Sequence, residues 1–127
     1  MNKPEDILRE WMHGINTADV EKLTALYDEK AVLFPTFSNR ILETPEKIRD
    51  YFEKVGDKEA LSITLHDKTV ITQELGEQQY CLSGIYTWRF SIDGEPYNFE
   101  ARFTYVFDLS KDSPIIHHHS SQIPRML

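Results

Sequence analysis

The sequence predicts an α+β domain in which about three amino-terminal helices pack against one face of a strongly curved antiparallel sheet. Three observations carry that reading. Apolar residues recur at helical spacing through the first part of the chain, their period changes to two from Leu61 onward, and Asp93-Gly94 marks a tight hairpin between two long alternating runs. Helices that precede a run of strands segregate to one sheet face.

The first helix starts at Pro4, a residue suited to a first turn, and carries Ile7, Leu8, Trp11, Met12 and Ile15 on one stripe. After a break at Asn16-Thr17, Val20, Leu23, Leu26 and Tyr27 predict a shorter second helix ending near Asp28. Thr44-Pro45-Glu46 joins a cap, a first-turn proline and an early acid; Ile48, Tyr51, Phe52 and Val55 follow, with a stop at Gly56. Leu61, Ile63 and Leu65 alternate with Ser62 and Thr64 as a strand. Strands near Tyr80 to Ile92 and Tyr97 to Leu109 flank the hairpin, and Lys111-Asp112-Ser113-Pro114 turns the chain into a last strand. Tyr86, Trp88 and Phe90 supply more aromatic surface than three short helices are expected to cover. They predict a homodimer built through the sheet, a closed barrel-like monomer being the alternative.

With 127 residues, 40% hydrophobic and 28% charged, the chain fits one domain over residues 1–127. Fourteen basic against twenty-one acidic residues give a net charge of -7, which argues against nucleic acid or an anionic membrane as partner. No uncharged apolar stretch approaches the roughly 20 residues of a membrane span, and Met1-Asn2-Lys3-Pro4-Glu5-Asp6 lacks a signal-peptide core. A cytoplasmic setting is the expectation, with an export segment upstream left open. Cys81 stands alone, so neither an internal disulfide nor a thiolate-rich metal site is available.

Chemistry concentrates in three strings. In His117-His118-His119-Ser120-Ser121, strand alternation sends His117, His119 and Ser121 one way and His118 and Ser120 the other. His117 and His119 could share an ion, but zinc wants a third protein ligand, and neither His13 nor His66 has a partner at ligand spacing. The other reading is a set of buried or interface histidines hydrogen-bonded across strands. In Phe34-Pro35-Thr36-Phe37-Ser38, the hydroxyls of Thr36 and Ser38 either satisfy a turn or line a site, to which the inward phenol of Tyr51 would contribute. In Glu100-Ala101-Arg102-Phe103-Thr104-Tyr105, Arg102 and Thr104 share a face. Inside a pocket Arg102 would bind a small anion; outside it would form a surface pair. Ser83, Thr87 and Cys81 share a face of the neighbouring strand. Nothing supports a nucleophile-base-orienter set, a phosphate-cradling glycine loop or paired carboxylates.

These strings, together with Leu26-Tyr27-Asp28, Thr44 to Phe52 and Ser83 to Thr87, resemble the nuclear transport factor 2-like superfamily. The closer likeness is to its branch of the calcium/calmodulin-dependent kinase II association domain and iota-class carbonic anhydrase-like bacterial proteins. The resemblance implies a conical sheet wrapped around helices, an internal polar cavity, and dimers or larger rings. It further implies reversible hydration of carbon dioxide, with Thr36, Tyr51, His119 and Ser121 as catalytic candidates and Arg102, Thr104, Ser38 and Thr87 as substrate-binding candidates. The alternative is a noncatalytic oligomerisation module, or one that binds a small carboxylate near Arg102. No metal ligand is assigned, zinc and manganese being the ions the resemblance leaves open. Phe34 and the terminal Arg125-Met126-Leu127 depart from the usual pattern. An enzyme acting on an apolar ring ranks last, because Asp67 and Asp108 have no clear partner.

Overall fold

The computed structural model describes residues 3–124, so the departure at Arg125-Met126-Leu127 lies outside the described residues. Helix α1 (Pro4–Asn16) begins on its proline with Glu5 and Asp6 in the first turn. Helix α3 (Pro45–Gly56) is capped by Thr44, whose Oγ1 accepts from the Lys47 N–H at 3.3 Å. Helix α2 (Val20–Ala25) is shorter than its apolar spacing predicts. Asp19 caps it by accepting from the Lys22 N–H at 3.0 Å, and the helix ends before Leu26. Tyr27, read from sequence as part of that helix, opens strand β1 (Tyr27–Phe34) instead, because a neighbouring strand offers this segment a ladder.

The remaining strands are β2 (Glu59–Leu65), β3 (Ile71–Gly76), β4 (Gln79–Ile92), β5 (Glu95–Asp108) and β6 (Ile115–Gln122). They form one open six-stranded sheet in the order β1-β6-β5-β4-β2, with β3 also on β4. The amino-terminal half of β4 pairs with β3 and the other half with β2, so both occupy one edge of the same long strand. All pairings are antiparallel, as predicted, except that of β1 with β6, which is parallel. The β4–β5 hairpin turns on Asp93 and Gly94, both at positive φ (52° and 82°), the conformation that favours this dipeptide.

The inner face of the sheet carries Leu82, Tyr86, Trp88 and Phe90 from β4 and Ala101, Phe103, Tyr105 and Phe107 from β5, all buried. Ile7, Leu8, Trp11 and Ile15 of α1 and Ile48, Tyr51, Phe52 and Val55 of α3 complete the core. Trp11 stacks on Tyr86 at 5.4 Å and meets Trp88 edge-on at 5.8 Å; Phe37 meets Trp88 and Phe90 edge-on. Tyr86, Trp88 and Phe90 are therefore interior, and the expectation that they form a free face for a partner is corrected. The curved sheet brings α1 over one part of β4 and the Phe37 loop over the next. Asn16 ties the end of α1 to β2, accepting from the Ile63 N–H at 2.7 Å and donating to the Ile63 carbonyl at 3.3 Å. Gly84 lies where a Cβ would stand 2.9 Å from the ring of Phe103, so only glycine lets that ring stack on Tyr86.

Candidate functional site

Alternation along β6 decides which histidine reaches the interior. His118 pairs across the ladder with Tyr105, and Ser120 with Phe103, so both follow the apolar set of β5 inward and are buried. His118 Nδ1 lies 2.7 Å from the Tyr27 hydroxyl and Nε2 lies 3.2 Å from the Tyr86 hydroxyl. The Trp11 indole N–H donates to the Tyr27 oxygen at 3.0 Å. Tyr27 then has one proton to give, and it goes to Nδ1; His118 is left with its proton on Nε2, donated to Tyr86. The result is a directed chain from Trp11 through Tyr27 and His118 to Tyr86. Burial holds His118 well below the ordinary imidazole range, with the neighbouring His117 and His119 adding to the effect. Burial likewise raises the phenols of Tyr27, Tyr51, Tyr86 and Tyr105. The ring of His118 stacks on Tyr105 at 3.9 Å. It is a neutral hydrogen-bonding group in an aromatic core.

Thr36, in the turn after β1, and Ser120 bring their hydroxyl oxygens to 2.5 Å. Together with Tyr51, His118, Tyr86 and Trp88 they wall a small hollow of about 10 Å³. That is the space of roughly one water molecule. Thr36 and Tyr51 both border this hollow, and the imidazole and hydroxyl beside them belong to His118 and Ser120.

The other expected site residues lie on the opposite side of the sheet. Arg102 pairs with Ser121 and Thr104 with His119, and all four side chains project from the outer face, His119, Ser121 and Arg102 being exposed. Thr87 is also on that face, covered by His66, whose Nε2 is 2.7 Å from its Oγ1. Ser38 sits in the loop after β1, its Oγ accepting from the Arg40 N–H at 3.2 Å. An open depression of about 290 Å³ beyond the end of β1 does bring Thr36, Ser38, His119, Ser120 and Ser121 together, without Tyr51. The placement of His119 and Ser121 in an enclosed cavity is corrected accordingly. A one-residue change of register reverses every side chain of a strand, and the register of β6 depends on an irregularity near Ile115 that periodicity does not show. The aromatic set Phe103, Tyr105 and Phe107 on β5 was the available signal, because whatever lies opposite those rings must point inward.

Among the described residues no three His, Cys, Asp or Glu side chains converge as metal ligands, and His117 and His119 share a face without a third. No helix among them is long and apolar enough to cross a membrane.

The profile of the family described as the calcium/calmodulin dependent protein kinase II association domain matches residues 5–124. This chain belongs to the calcium/calmodulin-dependent protein kinase II association-domain family. A Xanthomonas campestris structure described as such an association domain is 27% identical, with a TM-score of 0.85 over 96% of this chain and 86% of that one. A Caulobacter vibrioides protein with a cystatin-like fold shares 10% identity at a TM-score of 0.78, covering 95% of this chain and 87% of that one. A Novosphingobium aromaticivorans protein named for scytalone dehydratase shares 9% identity at 0.81, covering 94% and 81%. The last two show the cystatin-like fold alone. No curated protein matches the chain. The association-domain scaffold here has a core closed by Trp11, the tyrosines and His118, with its polar residues divided between two sheet faces.

Proposed function

We propose that this association domain is an assembly module that self-associates through the outer face of its sheet. One observation carries the reading. Two cross-strand rows run over β3, β4, β5, β6 and β1 on that face, and neither holds an acidic residue, a lysine or an arginine. The first is Ile71, Ser83, Thr104, His119 and Phe34; the second is Gln73, Cys81, Val106, His117 and Val32. In a chain that is 28% charged, five strands spaced about 4.8 Å apart make an uncharged band about 20 Å wide. Ile71 is 61% exposed at one end of it. At the other end the ring of Phe34 packs against His117 and His119 at 5.8 and 5.2 Å. A band of this size is the centre of a patch, to be enlarged toward the roughly 800 Å² per partner that a stable dimer buries.

The module reading predicts that light scattering at micromolar concentration gives at least twice the chain mass of 14.9 kDa. Val106→Glu, which places a charge mid-band on a half-buried site, should return a 14.9 kDa monomer with an unchanged circular dichroism spectrum. A wild-type monomer, or a Val106→Glu variant that still assembles, rejects it.

Carbon dioxide hydration fits the geometry poorly. The hollow beside Thr36 and Tyr51 has no room for a three- or four-atom guest, and His118 keeps both ring nitrogens engaged with tyrosines. Stopped-flow hydration should run at the buffer rate with chelator present and with zinc or manganese added. Acceleration abolished by Thr36→Val would restore the catalytic reading.

A further inference from the structure

Three strands of the open sheet, β1, β2 and β3, are paired on one side only. Two of the resulting edges are closed from within the chain. On β1, Leu33 and Leu42 exchange both backbone hydrogen bonds, at 2.8 and 2.9 Å, and the first half of the strand carries Asp28, Glu29 and Lys30, charges that oppose an added strand. On β2, the Asn16 amide takes up both backbone groups of Ile63. β3 has neither device. Among the described residues its backbone bonds to nothing beyond its ladder with β4, and its one side-chain tie is the Thr72 hydroxyl, donated to Glu5 at 2.7 Å. Its six residues, Ile71-Thr72-Gln73-Glu74-Leu75-Gly76, include no lysine, arginine or proline. In an antiparallel ladder alternate residues turn their N–H and C=O away from the partner, so this edge offers unsatisfied groups to another strand.

The side chains of β3 fit a second copy of the same strand. Ile71 is 61% exposed and Leu75, at the bulge that ends the ladder, 56%; they are the two most exposed large hydrophobic residues among those described. Gln73 lies midway between them. When two copies of β3 run antiparallel about a two-fold axis at Gln73, Ile71 of each faces Leu75 of the other and Thr72 faces Glu74. Both exposed apolar residues are then covered, and no like charges meet. Moving the axis to Glu74 would set two carboxylates face to face, and moving it to Thr72 would leave Leu75 without its partner.

We propose that β3 pairs edge to edge with β3 of a second copy, antiparallel and centred on Gln73, so that two sheets continue as one. This contact rests on the self-association reading and adds a second surface to it. Ile71 and Gln73 carry the two uncharged rows of the outer face to this edge, so edge pairing extends the band across both sheets. A strand of six residues buries less than the roughly 800 Å² per partner of a stable interface. The edge is therefore the weaker contact, and it joins pairs made through the outer face into assemblies of four chains or more.

Light scattering at micromolar concentration on four proteins tests this: wild type, Val106→Glu, and two double variants of the edge. Both edge positions are more than half exposed, so the substitutions leave the core intact, which circular dichroism checks. Ile71→Lys with Leu75→Lys sets lysine against lysine in the proposed register and should halve the wild-type mass, down to two chains. Ile71→Lys with Leu75→Glu sets lysine against glutamate and should restore the wild-type mass. Only pairing of residue 71 with residue 75 of another copy distinguishes these two variants. A lysine pair that keeps the wild-type mass, a lysine-glutamate pair that dissociates as far as the lysine pair, or a wild type of only two chains overturns the edge contact. Dissociation of Val106→Glu alongside any of those results leaves the outer-face reading standing. A Val106→Glu protein that keeps two chains, while the lysine pair separates them, rejects the outer face and retains the edge.

Discussion

Trp11→Ala should lower the unfolding free energy by about 3–5 kcal/mol. Trp11 is 1% exposed and its ring meets those of Phe52, Tyr86, Trp88, Tyr105 and His118 at centroid distances of 5.2 to 6.5 Å. Removing it opens a cavity between α1 and the sheet that these rigid rings can fill only in part. It also removes the N–H that sets the direction of the hydrogen-bond chain through Tyr27. Against a total stability of about 5–15 kcal/mol, such a loss can unfold the domain. Trp11→Phe supplies the graded comparison, because it keeps most of the ring volume and loses only the donor. Urea titration should show the phenylalanine variant close to wild type and the alanine variant far below it; equal midpoints for all three would contradict the packing account.

The second large effect is acid destabilisation through His118. Its folded-state pKa is depressed well below 6.5 because the ring is buried, whereas in the unfolded chain it titrates near 6.5. The unfolded state therefore binds the proton first. The contribution of His118 is fully present above about pH 6.5 and is lost as pH falls below that value, at up to about 1.4 kcal/mol per unit until the folded-state pKa is reached. His117, partly buried on the outer face, is shifted in the same direction. His118→Gln keeps a neutral hydrogen-bonding side chain and should flatten the pH dependence of the urea midpoint even where its absolute stability is lower. Parallel pH slopes for the variant and wild type would show that some other group governs the loss.

Much of this fold is legible in the sequence where local chemistry and burial agree. Pro4, the Thr44-Pro45 start of α3 and the Asp93-Gly94 turn are each local signals that set an element boundary, and the tertiary structure uses all three. What stayed hidden depends on distant partners. β1 opens with Tyr27-Asp28-Glu29-Lys30, which has no clean alternation, and its register is irregular between Tyr27 and Val32. β3 has no fully buried residue, so burial left no period to detect. For the candidate site, Tyr51 lies on the core-facing stripe of α3 that its spacing marks, whereas Thr36 lies in the turn after β1, where the sequence left both a turn role and a site role open. His118 and Ser120 could not be told from His117, His119 and Ser121, because their direction is set by pairing with β5 across a turn and an irregularity. The same limit misplaced Tyr86, Trp88 and Phe90, since an alternating aromatic strand shows that one face is apolar but not which elements cover it.

The position of β6 between β1 and β5 also sets an order of events during biosynthesis. β1 is complete by residue 34, yet its strand partner begins only at residue 115. A nascent chain must carry that edge unpaired, with Tyr27 unable to reach His118, while some eighty intervening residues are added. Closing so long a loop late gives the fold a high contact order and a slow final step. Until it closes, the bare edge of β1 is the place where wrong pairing or chaperone capture is most to be expected.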